Sequence, residues 1–162
     1  MTVRSSISAL SIMLAATLLA GSARAELGGT IAGVRTDATQ MNTRMLSVVT
    51  TGFTRHDMTR ANGGIVSEFT NSADKVFAVT WSGPGKPDLR SLLGRYFATF
   101  QASSTTGAGG GRMRHSLRRP PQVAQGDLLI QTGGHMGWFR GVAYVPSLAP
   151  AGFSPDDLSQ QP

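Results

Sequence analysis

Over residues 45–82 apolar and polar positions alternate with a period close to two, and over residues 87–100 the period lengthens to that of a helix. Residues 45–51 (MLSVVTT) are β-branched and predict a strand that runs on through Gly52, Phe53, Thr54, Arg55 and His56. Arg60-Ala61-Asn62-Gly63-Gly64 marks a turn, because Asn and Gly take positive φ at low cost. Residues 65–70 (IVSEFT) and 75–82 (KVFAVTWS), joined by Asn71-Ser72-Ala73-Asp74, predict a hairpin. Alternation in its second strand puts Phe77, Val79 and Trp81 on one face and Val76, Ala78 and Thr80 on the other. Both faces are fairly apolar, which predicts a central strand.

Gly83-Pro84-Gly85-Lys86-Pro87 breaks the chain. Pro87 then suits the first position of a helix, where its missing N–H costs nothing, and Asp88 suits the positive end of the helix dipole. Leu89, Leu92, Leu93, Tyr96, Phe97 and Phe100 form one apolar stripe with Phe97 at its centre, and Arg90, Ser91 and Arg95 turn away from it. Residues 103–126 read as a long mobile loop, holding the glycine-rich run 106–111, the basic run 112–119 and Pro120-Pro121. Within it, residues 113–117 are a candidate edge strand. Residues 127–132 (DLLIQT) and 138–146 (WFRGVAYVP) predict two more strands around the tight turn Gly133-Gly134-His135-Met136-Gly137.

The predicted order is β-β-β-α-β-β, an α+β fold with a small antiparallel sheet and one amphipathic helix across a face. Residues 26–44 are polar and Gly/Thr-rich and read as a loosely held arm, with a short strand near residues 30–34. Residues 45–150 form the single domain, and residues 151–162 a polar tail without a hydrophobic repeat.

Ahead of the domain, Arg4 precedes a charge-free apolar run over residues 7–20, closed by Ser22-Ala23-Arg24-Ala25. This is the pattern of a secretory leader, with cleavage expected between Ala25 and Glu26 and a periplasmic destination. The run spans about 21 Å as a helix, short of the roughly 30 Å core of a bilayer, so no membrane span is expected after processing. The chain carries a net charge of +6, and losing Arg4 and Arg24 with the leader leaves +4. Positive charge permits nucleic acid as a partner, but export argues against it and favours an envelope protein or an anionic envelope polymer. The chain has no cysteine, which excludes disulfides, thiolate metal sites, a cysteine nucleophile and a lipoprotein acyl anchor.

Several stretches recur together in order: Glu26-Leu27-Gly28-Gly29, residues 76–84 (VFAVTWSGP), Pro87-Asp88-Leu89 leading to Leu92-Leu93-Gly94, Gly133-Gly134-His135-Met136, and Ala143-Tyr144-Val145-Pro146. Behind a leader, they resemble a proteobacterial family of short exported proteins catalogued as domain of unknown function 2844. The resemblance implies export, small size and a single domain, and it brings no activity, cofactor or catalytic residue.

The chemistry-bearing residues are sparse. Gly109-Gly110-Gly111 follows the helix and leads into Arg112-Met113, whereas a phosphate loop follows a strand, opens a helix and ends in Lys-Ser/Thr. His56, His115 and His135 lie too far apart in sequence to give a short-spaced zinc pair. No Gly-x-Ser-x-Gly elbow occurs. Asp74, Asp88 and Asp127 fall at element ends, where turns and caps account for them, and Glu68 falls on a strand. No catalytic residue, cofactor or metal site is therefore expected. His135, flanked by glycine on its N-terminal side and one residue from another, is the best single ligand-binding candidate, and it is the only basis for an enzyme. Trp138, Arg140 and Tyr144 complete a mixed strand face, the preferred binding surface if Val142 shares it. Arg112, Arg114, Arg118 and Arg119 are candidate anion contacts or a solvated charge run. The function expected is a non-enzymatic accessory or interaction domain of the cell envelope, the alternative a small binding module for an anionic envelope ligand.

Overall fold

The computed structural model describes residues 26–106, 122–154 and 158. The chain runs α1 (Ile31–Gln40), β1 (Met45–Thr50), β2 (Phe53–Thr59), β3 (Ile65–Asn71), β4 (Val76–Pro84), α2 (Leu89–Leu93), α3 (Phe97–Thr106), β5 (Gln122–Gln125), β6 (Leu128–His135) and β7 (Trp138–Tyr144). Single 3-10 turns occupy Gly94–Tyr96 and Pro146–Leu148. The strands form one seven-stranded sheet in the order β1-β2-β3-β4-β7-β6-β5, and every neighbouring pair is antiparallel. This is the small α+β fold that the pattern predicts. The chain meanders through β1–β4, crosses one face as α2 and α3, reaches the far edge at β5 and returns inward to set β7 beside β4.

One face of the sheet carries the main core. Met58, Val66, Val76, Val79, Trp81, Ile130 and Ala143 pack there against Leu27, Val34, Ala38, Leu92 and Leu93, all buried. Trp81 fits because Gly141 opposite it has no side chain: a Cβ there would lie 2.2 Å from the indole ring. The other face holds a smaller cluster, Phe69, Phe77, Ala78 and Leu158, with Phe53, Tyr144 and Phe153 packed on it.

The helical stripe lies where expected, but it is not one helix. Gly94, at φ +49°, ends α2, and the space beside its Cα is filled by Glu26. The chain then makes a 3-10 turn before α3 resumes. Leu92 and Leu93 sit at the centre of the packing, whereas Phe97 is only partly buried at its margin. Pro87 lies outside α2. Asp88 is the N-cap, its carboxylate accepting from the backbone N–H groups of Arg90 at 3.0 Å and Ser91 at 3.3 Å. Asp88→Ala should therefore cost about 1 kcal/mol in a urea melt, the usual value of an N-cap carboxylate.

Four further expectations are corrected. Residues 26–44 are no loose arm and hold no strand of their own beyond a single bridge from Thr30 to Lys75: Leu27 and Val34 are fully buried and α1 lies on the main core. The strand predicted from residue 45 does not run through Gly52, because Thr51-Gly52 reverses the chain and starts β2 at Phe53. The loop assigned to residues 103–126 begins with the last turn of α3 and ends in β5, a seventh strand that the sequence pattern misses. The tail is not wholly polar in role, since Phe153 and Leu158 pack on the second face. The predicted edge strand at residues 113–117, like the leader and Ala25, lies outside the described residues.

The bulge at Phe77 is the least expected feature. Phe69 pairs with Ala78 but Thr70 pairs with Val76, so β4 carries one residue more than β3. Val76, Val79 and Trp81 consequently share the main core, and Phe77 turns to the second face beside Ala78. Strict alternation would have kept Phe77 with Val79.

Candidate binding face

The β6–β7 hairpin positions the candidate residues. Its strands close at His135 opposite Trp138, with Gly134 opposite Phe139 and Gly133 opposite Arg140. Trp138, Arg140, Val142 and Tyr144 alternate along β7 and share one face, the face turned away from α1, α2 and α3. His135 projects to that face beside Trp138, and the missing side chain at Gly133 leaves room beside Arg140. Gly134 is required for its own reason: a Cβ there would lie 2.2 Å from the Trp138 carbonyl oxygen.

These residues border a shallow cavity of about 320 Å³, lined by Gly134, His135, Trp138 and Arg140. Trp138 is 45% exposed. Arg140 is exposed and makes no hydrogen bond or ion pair among the described residues. The His135 Nδ1–H donates to the Met136 carbonyl at 3.3 Å. A guanidinium beside an exposed indole suits a ligand with an anionic, planar group next to an apolar surface. Among the described residues the cavity lining contains no carboxylate.

The sheet brings together three of the four weak ligand candidates. Tyr144 shares their face but lies six residues, about 20 Å, from Trp138 along the strand. Its ring packs on Phe153 at 6.3 Å, within the second core cluster rather than at the cavity. Trp81 is core. Arg112, Arg114, Arg118, Arg119, His115 and the triple glycine all lie outside the described residues. Among the described residues no three of His, Cys, Asp and Glu are placed to hold a metal ion.

The acidic turn residues act as caps and ties. Asp127 accepts from the Ser147 backbone N–H at 3.1 Å and from the Ser147 hydroxyl. His56 and Asp57, adjacent in sequence, point to opposite faces. Asp57 pairs with Arg55 at 2.9 Å and accepts from Ser67 Oγ at 2.6 Å. His56 lies buried under the helices, its Nδ1 2.9 Å from Ser47 Oγ and its Nε2 3.0 Å from Thr70 Oγ1.

Sequence reasoning missed the group next to it. Glu68 pairs with His56 across β2–β3, is fully buried, and neither carboxyl oxygen has a hydrogen-bond partner among the described residues. Burial, and next the nearby Asp37 of α1, push its carboxyl well above the ordinary carboxylate value. Burial and then Arg35 lower the His56 value, against smaller opposing effects of Asp57 and Asp74. The signal was present in residues 65–70, where one carboxylate stands among the apolar or β-branched Ile65, Val66, Phe69 and Thr70.

The stretches that carry the family resemblance meet around β4. The Leu27 N–H donates to the Leu92 carbonyl at 3.0 Å, Gly28 N–H to Val76 O at 2.8 Å, and Val76 N–H to Gly29 O at 3.1 Å. From the other side, Val145 N–H donates to Phe77 O at 2.8 Å and Gly85 N–H to Gly137 O at 3.3 Å. These hydrogen bonds tie the stretches into the frame of the fold. The model of the family described as "Protein of unknown function (DUF2844)" matches residues 23–158. No curated protein and no solved structure matches the chain.

Proposed function

We propose, from the premise that the chain belongs to the DUF2844 family, that it is an exported periplasmic protein acting as a non-enzymatic interaction domain of the cell envelope. Export is supported by the leader pattern of residues 1–25: a positive start, a short apolar run and small residues before Glu26. The observation that carries the interaction reading is the sheet face around Trp138 and Arg140. Among the described residues the helices cover the opposite face, and the C-terminal segment covers the end near Phe77 and Tyr144. What remains is an exposed indole and an unpaired guanidinium at a cavity, the residue types that dominate protein contact surfaces.

The test is capture from envelope extract with the processed protein as bait, its start first fixed by N-terminal sequencing. The processed chain should begin at Glu26 and fractionate with the periplasm. Trp138→Ala and Arg140→Ala should each weaken capture of the same partner by about tenfold or more, as loss of an anchor residue does. Unchanged capture in both variants would remove this face from the reading.

A second reading, a small anionic envelope ligand, is favoured by the free Arg140 beside Trp138. It makes binding fall steeply from low to physiological salt, since exposed charges are screened within about 10 Å at 0.1 M. Replacing Arg112, Arg114, Arg118 and Arg119 together with Ser, compared with Arg140→Ala alone, separates the basic run from the hairpin face.

A further inference from the structure

Among the described residues the sheet ends at β1, which pairs with β2 on one side and has no strand on the other. Natural edge strands are usually blunted by Lys, Pro, a bulge or an inward charge. β1 (MLSVVT) has none of these, and its register with β2 is uninterrupted over all six residues. It is also the most concentrated exposed apolar segment among the described residues. Val49 is 80% exposed and Leu46 62%, and Val48 is exposed between them.

The phase of the backbone hydrogen bonds follows from the neighbouring hairpin. Arg60 N–H donates to Gly64 O at 2.7 Å at the end of β2–β3. In an antiparallel ladder alternate residues turn their N–H and C=O to alternate sides. Thr54, His56 and Met58 therefore bond to β3, and Phe53, Arg55 and Asp57 bond to β1. The β1 partners of those three are Thr50, Val48 and Leu46. The backbone groups of Met45, Ser47 and Val49 consequently point outward from the sheet edge, spaced evenly about Ser47.

We propose that two copies of this chain join edge to edge through β1, antiparallel about a two-fold axis at Ser47. In that register Met45 of one copy faces Val49 of the other, and Ser47 faces Ser47. Every outward N–H and C=O finds a partner, giving six main-chain bonds. The side chains match as well. Met45 meets Val49 on the helix-covered face, and Leu46 meets Val48 on the open face. The strand carries no charge, and Arg44, the nearest basic residue in sequence, falls opposite Thr50 rather than opposite its own copy. The net positive charge of the chain therefore does not oppose the contact at the seam. A second copy satisfies both the hydrogen-bond phase and the side-chain pattern with one closed, isologous contact, which fixes the occupant as the chain itself. The seam lies at the opposite end of the strand order from the β6–β7 pair, so the dimer leaves both Trp138–Arg140 faces free.

Sedimentation equilibrium of the full chain over a concentration series tests this directly. The expected result is a reversible monomer–dimer equilibrium. Val49→Lys should raise its dissociation constant by roughly tenfold or more, because a two-fold contact feels each lost cross-strand pair twice. Val49 is exposed, so the variant should keep the parental melting temperature when dilute. In a chain with no native cysteine, Ser47→Cys should form a disulfide-linked dimer under mild oxidation, and Ala124→Cys on the opposite edge strand should not. A monomer at the highest soluble concentration would overturn the proposal. So would a dimer that Val49→Lys leaves unchanged, or cross-linking at residue 124 as fast as at 47.

Discussion

Phe77→Ala should destabilise the protein by about 3–5 kcal/mol, the range for removing a fully buried aromatic side chain. That is a large part of the roughly 5–15 kcal/mol that holds a typical domain. Phe77 has no exposed surface and touches three other rings: Phe53 at 6.0 Å, Phe69 at 6.3 Å and Phe153 at 4.9 Å, the last edge to face. Phe53 and Phe69 are fixed by their strands and cannot collapse into the gap. Only Phe153, on the segment after β7, is free to follow. A urea melt measures the loss, and a value below about 1 kcal/mol would show that the bulge does not seat Phe77 as described. The partner variant Phe153→Ala should cost less, and the double variant should fall short of the sum by about 0.5–1.5 kcal/mol, the coupling expected of an aromatic pair. The same cycle asks how much of the hold on the C-terminal segment comes from this ring contact, beside the contacts of Phe153 with Phe53 and Tyr144.

What the sequence disclosed, and what it hid, divides along the range of the interactions involved. The β3–β4 and β6–β7 hairpins were legible because turn chemistry and alternation are local. The stripe from Leu89 to Phe100 was legible for the same reason, and so was the shared face of Trp138, Arg140, Val142 and Tyr144. The break at Gly94 was not, because the apolar spacing runs on through it, and Glu26, far away in sequence, fills the space beside it. α1 was hidden differently. Ile31, Val34, Ala38 and Met41 do recur at helical spacing, but Thr36, Asp37 and Thr39 mask them. Thr36 and Thr39 bond back to the carbonyls of Ala32 and Arg35, a habit that lowers helix preference in isolation. Packing on the sheet supplies what local preference does not.

The bulge and β5 show the limit most plainly. A strand read alone has a period of two, and nothing in residues 75–82 says that the partner strand is one residue short. β5 is four residues long and owes its place to β6. The candidate face, by contrast, needed only alternation to be found, whereas the demotion of Tyr144 to core needed Phe153, which reaches it from the tail. The buried acidic group was the most costly omission, because Asp37 had been assigned to a loose arm and so could not be placed over Glu68.

Replacing Glu68 should show what that omission concerns. Glu68→Met removes two buried, unpartnered oxygens and keeps most of the side-chain volume, so it should stabilise the fold at neutral pH by about 1–3 kcal/mol. The pH dependence identifies the cause. The folded state holds the Glu68 proton more tightly than the unfolded chain, whose carboxyl has its ordinary value near 4.5. Its share of stability is therefore full below that value and is lost as pH rises towards the raised folded value. His56 acts with the opposite sign. Its folded value is lowered from 6.5, so its share is full above 6.5 and is lost as pH falls. From pH 6.5 upward the two effects separate, because His56 is then largely neutral in both states. Urea melts should show the parent losing stability as pH rises above 6.5, where Glu68→Gln, which cannot ionise and keeps only the acid-side loss due to His56, stays nearly flat. Asp37→Asn should lie between them, since it removes the charge that adds to burial but leaves the burial itself. Equal slopes for the parent and Glu68→Gln above pH 6.5 would mean that Glu68 does not carry its proton under α1 as the geometry requires.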